Sequence, residues 1–482
     1  MTAGNVATAP SSPARRAPAW AERWFRLSAR GTDLPTEVRA GLTTFMVMSY
    51  IIVVNPVVLT TGARLGGVDV SFTAILTSTC LVAGLCSLAM GLGANLPFAL
   101  APGMGVNAVV AYQLIAGSHY SYADAMGVIV VQGVLLTLFV ISGLRRALLH
   151  AIPVALKMAI GAGIGLFLFT IGAYQAGLFV VPLGATQGGT IPPPTAGALG
   201  HFASPPTLLA LLGLVITGAL LVRGTRGAIL IGILVTTLLG VLVQAALRTP
   251  LSVVPGKLEW PTQPLAAPDF SYLGIGLAGL GYLGNVGGPG LVAALLATLS
   301  IFLSDFFDVA GTFTALGTEA GLADANGNLR EGENRAYLID GLSSAIGGLA
   351  GCSSATTYIE SGAGIAEGGR TGLTAVVTAV PFFLAMWVGN LFAIVPQEAT
   401  AGALMIVGLL MLAAVGREIP WRDYSVGLPA IFALMLMPLT WSITNGIGGG
   451  LLLYALLNPR RAGVLVWCVA LVFAIYFALG VH

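Results

Sequence analysis

Asp305 and Asp308 stand three residues apart in IFLSDFFDVAGT (301–312), after an apolar run with no charged residue since Asp269. On a helix that spacing puts both carboxylates on one face, about 60° apart. Glu360 follows small and hydroxylated residues in GCSSATTYIESGAGIAEGG, with Thr357 and Ser361 beside it. Asn107 follows Pro102, Gly103 and Gly105 in LPFALAPGMGVNAVVAY. The set offers anionic acceptors, backbone donors and an amide that both donates and accepts. No Lys or Arg occurs in these three stretches, so they suit an anionic ligand poorly. A small, neutral, planar molecule with ring N–H donors matches them better.

The elements that must position these residues are membrane helices. The chain of 482 residues is 56% hydrophobic and 8% charged, against roughly 25% charged for a soluble domain. A hydrocarbon core of about 30 Å requires about 20 apolar residues per helix, and uncharged stretches of that size recur throughout, among them 70–123, 158–222, 270–304 and 424–459. The apolar runs are continuous rather than alternating with period two, which disfavours a β-barrel. The fold class is therefore an all-α polytopic membrane protein in contact with the lipid bilayer. An ionisable group inside such a segment costs several kcal/mol and by default marks a pathway or a proton relay. The structural alternative for each acid is an ion pair or a helix cap at the interface. Carboxylates withdrawn from water and close together are also candidates to exchange a proton.

Candidate segments fall at 38–60, 71–92, 98–117, 125–144, 152–175, 205–222 and 227–247, then at 290–317, 335–351, 352–367, 371–394, 400–416, 424–457 and 463–481. Within 424–457, which is too long for one straight crossing, Asn445-Gly446 invites a break. Seven crossings is an odd number, so a second seven starts from the opposite side, as in an inverted repeat. Asn55 and Asn107 are 52 positions apart, as are Asp308 and Glu360, and an offset of 253 relates the pairs. Segments three and ten both carry Pro or Gly in mid-stretch, which predicts an extended piece leading into a half-helix. Non-helical backbone at that depth survives only where it is buried in protein or lines a cavity. Two half-helix ends meeting there would make a binding site.

Arg-bearing connections, including Arg145/Arg146, Arg223/Arg226 and Arg370, should be cytoplasmic, and the Pro-, Ala- and Arg-rich N-terminal tail with them. Trp20, Trp24 and Phe25 beside Arg23 and Arg26 predict an interfacial helix. The four cysteines show no metal spacing and read as small packing residues. No cofactor or metal is expected, and the net charge of +2 gives no reason to expect nucleic acid. Around Asp324, Asn326 and Asn328 the chain faintly resembles a calcium loop, but its twelfth position is Arg335 rather than Glu. GAGIG at 161–165 follows no strand and reads as helix packing. All four histidines, His119, His150, His201 and His482, fall near segment ends or in loops.

Five ordered stretches, GTDLPTEVRAGLTTFMVMSYIIVVNP, APGMGVNAVVAY, SDFFDVAGTFTALG, EGENRAYLIDGLSSAIGG and SSATTYIESGAGIAEGGRTGLTA, resemble the nucleobase–cation symporter-2 family, in its adenine/guanine/hypoxanthine permease branch. The resemblance implies fourteen segments in a 7+7 inverted repeat with segments 3 and 10 broken. It implies a cytoplasmic tail (1–36), a core domain (37–145 and 271–397) and a gate domain (146–270 and 398–482). It further implies a purine nucleobase and a proton bound between core and gate, a homodimer, and a multi-pass cell-membrane protein with its N-terminus cytoplasmic. Asp305, Glu360 and Asn107 would hold the purine. Asp308, Asn55, Thr357 and Ser361 would serve coupling or support. Rival readings are a same-fold carrier of xanthine, urate, uracil or an anion, an intramembrane aspartyl protease, and a channel. The acids argue against an anion carrier, and a protease would need its two acids on different helices. Saturable, proton-dependent uptake would exclude a channel.

Overall fold

The computed structural model describes residues 18–145, 154–178, 204–254, 257–261, 263–281, 289–324, 329–416 and 419–478. His150, His201, His482, Asn326 and Asn328 lie outside these. A short helix α1 (Ala19–Phe25) buries Ala21 and Phe25 against Leu27 and Leu373, while Trp20 and Trp24 are exposed. Helix α2 (Leu34–Met48) starts where Asp33 accepts from Thr36 N at 2.9 Å and Pro35 presets the first turn. A kink leads into α3 (Ile51–Leu65), which carries Pro56. Helix α4 (Phe72–Ala89) follows, capped by Ser71.

The third segment breaks as its prolines and glycines require. Strand β1 (Leu100–Pro102) leads into α5 (Met104–Ala108), and the helix continues to Gly117 with the wider π-type turn. Then come α6 (Tyr122–Ile141), α7 (Val154–Gln175), α8 (Pro205–Val222), α9 (Ala228–Leu247) and the short α10 (Ile275–Gly279). The second half runs through α11 (Pro289–Glu319), which carries both aspartates, and α12 (Glu333–Ala350). The tenth segment is again broken, as strand β2 (Ala355–Thr357) and half-helix α13 (Ser361–Ala366). After it come α14 (Gly372–Ala385), α15 (Gly389–Ala393) and α16 (Gln397–Gly416). The two strands pair antiparallel, Leu100 opposite Thr357 and Pro102 opposite Ala355, so the broken segments satisfy each other's backbone at their crossing.

One expectation about boundaries needs correction. The stretch 424–457 is not one interrupted helix but two, α17 (Tyr424–Leu439) and α18 (Ile443–Leu457), packed on one another. The turn lies at Thr440–Ser442, where Trp441 has φ 52° and Ser442 Oγ accepts from Asn445 N at 3.1 Å. Gly446 is inside α18, where a Cβ would come within 2.2 Å of Met437 Cγ; its small size serves helix contact rather than a break. The last helix is α19 (Val464–Ala478).

Helices α7, α8, α9, α16, α17 and α18 pack among themselves, with α19 on α18. Helices α2 to α6, α10, α12, α13 and α14 form a second group with the strands. Helix α11 touches both groups, meeting α5, α6, α13 and β2 on one side and α7 and α18 on the other. Close approach rests on glycine: a Cβ at Gly133 of α6 would lie 2.3 Å from the Ala345 nitrogen of α12.

A buried acid ties the second group across the chain. Glu37 of α2 is fully buried and its carboxylate accepts from Arg370 N (2.8 Å), Thr371 N (3.2 Å), Thr374 N (3.1 Å) and Thr374 Oγ1 (2.6 Å). It thus supplies, from another helix, the acceptors that the first turn of α14 lacks. Stranding such donors costs about 1–3 kcal/mol each. Glu37→Ala is expected to lower the melting temperature of detergent-purified protein well below that of Glu37→Gln, which keeps one acceptor; equal melting of Glu37→Ala and wild type would refute this account.

Candidate functional site

The site lies where β1 and β2 cross, walled by α11. Asp305 is 1% exposed. Its Oδ2 accepts from Gln132 Nε2 of α6, Ser344 Oγ of α12 and Ser354 Oγ just before β2, each at 2.9 Å, while Oδ1 has no partner. Ser354 reaches it because the chain doubles back on α12 at Gly347, where a Cβ would lie 2.1 Å from the Ser353 carbonyl. Asp305 is therefore held inside a polar cage behind the crossing.

Asp308, one turn later on α11, and Glu360, the residue just before α13, are only partly buried. Glu360 Oε1 accepts from the Tyr50 phenol at 2.7 Å. Among the described residues no hydrogen bond to Asp308 is found, and it lies within electrostatic range of both Asp305 and Glu360. Tyr358 completes this face: its phenol donates to the Pro102 carbonyl and its N–H to the Ala99 carbonyl at 3.0 Å. None of the four ion pairs among the described residues involves Asp305, Asp308 or Glu360. Two acids thus present acceptor oxygens to one space without a cation beside them, an arrangement that receives N–H donors and repels anions.

The two asparagines that the offset of 253 relates to Asp308 and Glu360 touch each other. Asn107 Nδ2 donates to Asn55 Oδ1 at 2.7 Å, and Asn55 Nδ2 donates to Thr79 Oγ1 (2.8 Å) and the Cys352 carbonyl (3.1 Å). Both are fully buried, so they brace α3 and α4 against the two broken segments. Asn107 Oδ1 is left without a partner. Ser361 Oγ accepts from Ala99 N at 3.0 Å, clamping α13 to the residue before β1. Thr357 gives both its N–H (2.9 Å) and its hydroxyl (2.8 Å) to Asp340 Oδ1.

Asp340, Gln132 and Tyr50 do not figure among the residues singled out from the sequence. Asp340 was legible by the rule that marks Asp305, an acid within an apolar segment. Gln132 is an amide in mid-segment, a weaker signal. Nothing in the local sequence singles out Tyr50; only the packing of α2 against α13 brings its hydroxyl to Glu360.

A family model described as a permease family, Xan_ur_permease, matches residues 35–448. The chain belongs to this family, the nucleobase–cation symporter-2 permeases. A putative permease of Methanocaldococcus jannaschii is 38% identical over 95% of this chain and 98% of its own length. An adenine permease of Escherichia coli is 36% identical, covering 94% of each chain. A guanine/hypoxanthine permease of Bacillus subtilis is 33% identical over 94% of this chain and 98% of its own. Among solved structures, the transmembrane domain of the cyanobacterial bicarbonate transporter BicA aligns with TM-score 0.57 and 17% identity, over 86% of this chain and 96% of that one. The murine Slc26a9 anion transporter aligns with TM-score 0.57 and 13% identity, over 94% and 74%. This permease therefore has the all-α inverted-repeat fold with two broken helices.

The unequal burial of the acids has a direct consequence for labelling. Cys80, Cys86 and Cys352 are buried and Cys468 is exposed, so a Cys468→Ser background removes the reactive thiol. In that background, Asp308→Cys and Glu360→Cys should react with a water-soluble maleimide much faster than Asp305→Cys. Comparable rates at all three positions would show that Asp305 shares their space.

Proposed function

We propose that this permease takes up purine nucleobases of the adenine, guanine and hypoxanthine class by proton symport. The observation that carries the reading is the pair of partly buried carboxylates, Asp308 and Glu360, beside the crossed broken segments with no cation paired to them. A neutral purine offers such oxygens its ring N–H groups and any exocyclic amino group. Permeases of adenine and of guanine or hypoxanthine among the relatives support the same class, beside a putative xanthine/uracil permease. The bicarbonate and anion transporters share only the fold, so they bear on architecture and not on substrate.

Of the two neighbouring aspartates, Asp308 is the better purine ligand on this geometry, with Glu360, because Asp305 is enclosed by three donors. Asp305 and Asn107 then hold the site from behind, with Asn55, Thr357 and Ser361. Tyr50 donates to Glu360 at the position a substrate N–H would take, which keeps the carboxylate satisfied between transport cycles.

The two helix groups are the moving parts in this reading. Residues 37–145 and 271–397 form the core, and 146–270 with 398–482 the gate. Arg226 of the gate pairs with Glu367 of the core at the end that carries the N-terminal helix, and Arg39 pairs with the other Glu367 oxygen at 3.1 Å. Arg64 donates to Gln397 Oε1 at 3.1 Å toward the opposite end. Alternating access breaks one tie while keeping the other. The Arg-bearing loops support a cytoplasmic N-terminus, and in this reading the protein acts in the cell membrane as a homodimer.

Each charge carried inward gains about 2.3 kcal/mol per 100 mV. Reconstituted vesicles should accumulate labelled hypoxanthine under an inward proton gradient and lose that accumulation when a protonophore is added; accumulation that survives the protonophore overturns proton symport. Asp308→Asn and Glu360→Gln are each expected to weaken equilibrium purine binding about tenfold or more, since each replaces an acceptor oxygen by a donor. Binding that stays at the wild-type level in both variants would remove these two acids from the purine site.

A further inference from the structure

We propose that the end of the bundle carrying the N-terminal helix holds a binding site for the headgroup of an anionic phospholipid, built from Arg26, Arg30, Arg330 and Arg370. The inference concerns the lipid around the permease and stands apart from the substrate and proton readings.

These arginines line one cavity of about 400 Å³, with Glu331 the one acid in its wall. They come from three stretches of chain: the turn after α1, the approach to α12 and the approach to α14. Backbone carbonyls set two of them in place. Arg30 Nη1 donates to the carbonyls of Asn95 (3.0 Å) and Arg370 (3.1 Å), and Arg370 Nη1 to those of Ile365 (2.6 Å) and Gly369 (2.8 Å). Asn95 fixes the frame, since its Nδ2 donates to the Phe25 carbonyl at 3.1 Å and its Oδ1 accepts from Gly372 N at 2.8 Å. Carbonyls orient a guanidinium but do not cancel its charge. The side chains of Arg26 and Arg330 are exposed, and neither makes an ion pair among the described residues.

The acids nearby leave this charge standing. Glu331 reaches Arg30 at 3.3 Å but is itself 67% exposed, a pair that water screens. Glu22 accepts from the Ser28 N–H and hydroxyl, and Glu37 from the Arg370 N–H and its neighbours. Four guanidiniums around one cavity against a single exposed carboxylate make a site for an anion, and the planar fork of arginine matches phosphate. Helix α1 decides which phosphate. It buries Ala21 and Phe25 against the bundle and leaves Trp20 and Trp24, four residues apart on one face, 59% and 60% exposed. Indoles presented in this way sit at the headgroup level of a bilayer. Phe25 ends the helix and Arg26 follows at once with φ 55°, so the indole face runs directly into the cavity wall. A lipid phosphate at that level meets the arginines without leaving the interface. A zwitterionic headgroup would bring an ammonium that they repel. Once seated, the headgroup ties the N-terminal arm to the approaches to α12 and α14, so binding it should stabilise the fold.

The experiment titrates full-length protein in neutral detergent with phosphatidylglycerol, with phosphatidylcholine of the same acyl chains, or with inorganic phosphate. Melting temperature and native mass spectrometry of retained lipid are the readouts. Phosphatidylglycerol should raise the melting temperature and be retained, with a midpoint about tenfold or more below that of phosphatidylcholine and a response that weakens with salt. Arg26→Gln/Arg330→Gln removes two guanidiniums that hold no part of the fold. It should melt like wild type without added lipid, while its phosphatidylglycerol midpoint rises about tenfold or more. Arg223→Gln/Arg335→Gln removes the same charge from exposed positions outside the cavity and should keep the wild-type midpoint. Equal responses to the two lipids, or equal loss in the two double variants, overturn the proposal, because general lipid contact or overall charge would then suffice. Inorganic phosphate that matches phosphatidylglycerol at equal concentration overturns it in favour of a soluble anion. Should lipid-free Arg26→Gln/Arg330→Gln melt below wild type, Arg330→Gln alone decides: a midpoint raised a few-fold supports the site, and an unchanged one overturns it.

Discussion

Backbone that leaves the helix inside a membrane must find its hydrogen bonds within the protein, because the hydrocarbon offers none. Two segments of this chain break there, and the antiparallel pairing of Leu100–Pro102 with Ala355–Thr357 meets that demand. Other features follow from it. Ser87 Oγ accepts from Leu100 N at 2.9 Å, and Gly103 N reaches the Ser354 carbonyl at 2.8 Å, so the strand ends are also paired. Glu360, Ser361 and Thr357 occupy their places because one strand dictates where the next helix starts. A site made of rigid, fully bonded backbone holds its acids in place at little cost in side-chain entropy.

Charge is handled by geometry rather than by counter-ions. The described ion pairs involve Arg30, Arg39, Arg145 and Arg226 with Glu331, Glu333 and Glu367, away from the crossing. Within the bundle, acids are matched with neutral donors instead: threonine and backbone N–H groups on Glu37, serines and an amide on Asp305, a threonine on Asp340, a phenol on Glu360. Neutral donors stabilise an anion without fixing its charge, so an acid kept this way remains able to take a proton or a substrate N–H. A lysine or arginine in the same place would hold it ionised. The same fold serves carriers of anions, so the fold by itself does not set the substrate.

Small residues make the arrangement compact. Gly133 against Ala345 and Gly347 against the Ser353 carbonyl let α6, α12 and the approach to β2 close around Asp305. Without them Gln132, Ser344 and Ser354 would not reach one carboxylate oxygen. In a membrane interior, where apolar burial gives helices no preference for each other over lipid, such contacts and buried hydrogen bonds carry the association.

Continuous apolar runs longer than a bilayer, Pro and Gly in the middle of two of them, and acids where no solvent reaches are local properties. They determined the class and the broken third and tenth segments and pointed to the region of the candidate site, and the repeat offset of 253 paired Asn55 and Asn107 with Asp308 and Glu360. The turn at Thr440–Ser442 was missed because a glycine inside a helix contact and a glycine at a break look alike in one dimension. Only the tertiary structure decided which aspartate of IFLSDFFDVAGT is enclosed and which is open. Both lie on one helix face three residues apart, and their difference comes from Gln132, Ser344 and Ser354, which arrive from 173, 39 and 49 positions away. Periodicity fixes the face a residue occupies; what that face meets depends on chain segments whose separation no local pattern encodes.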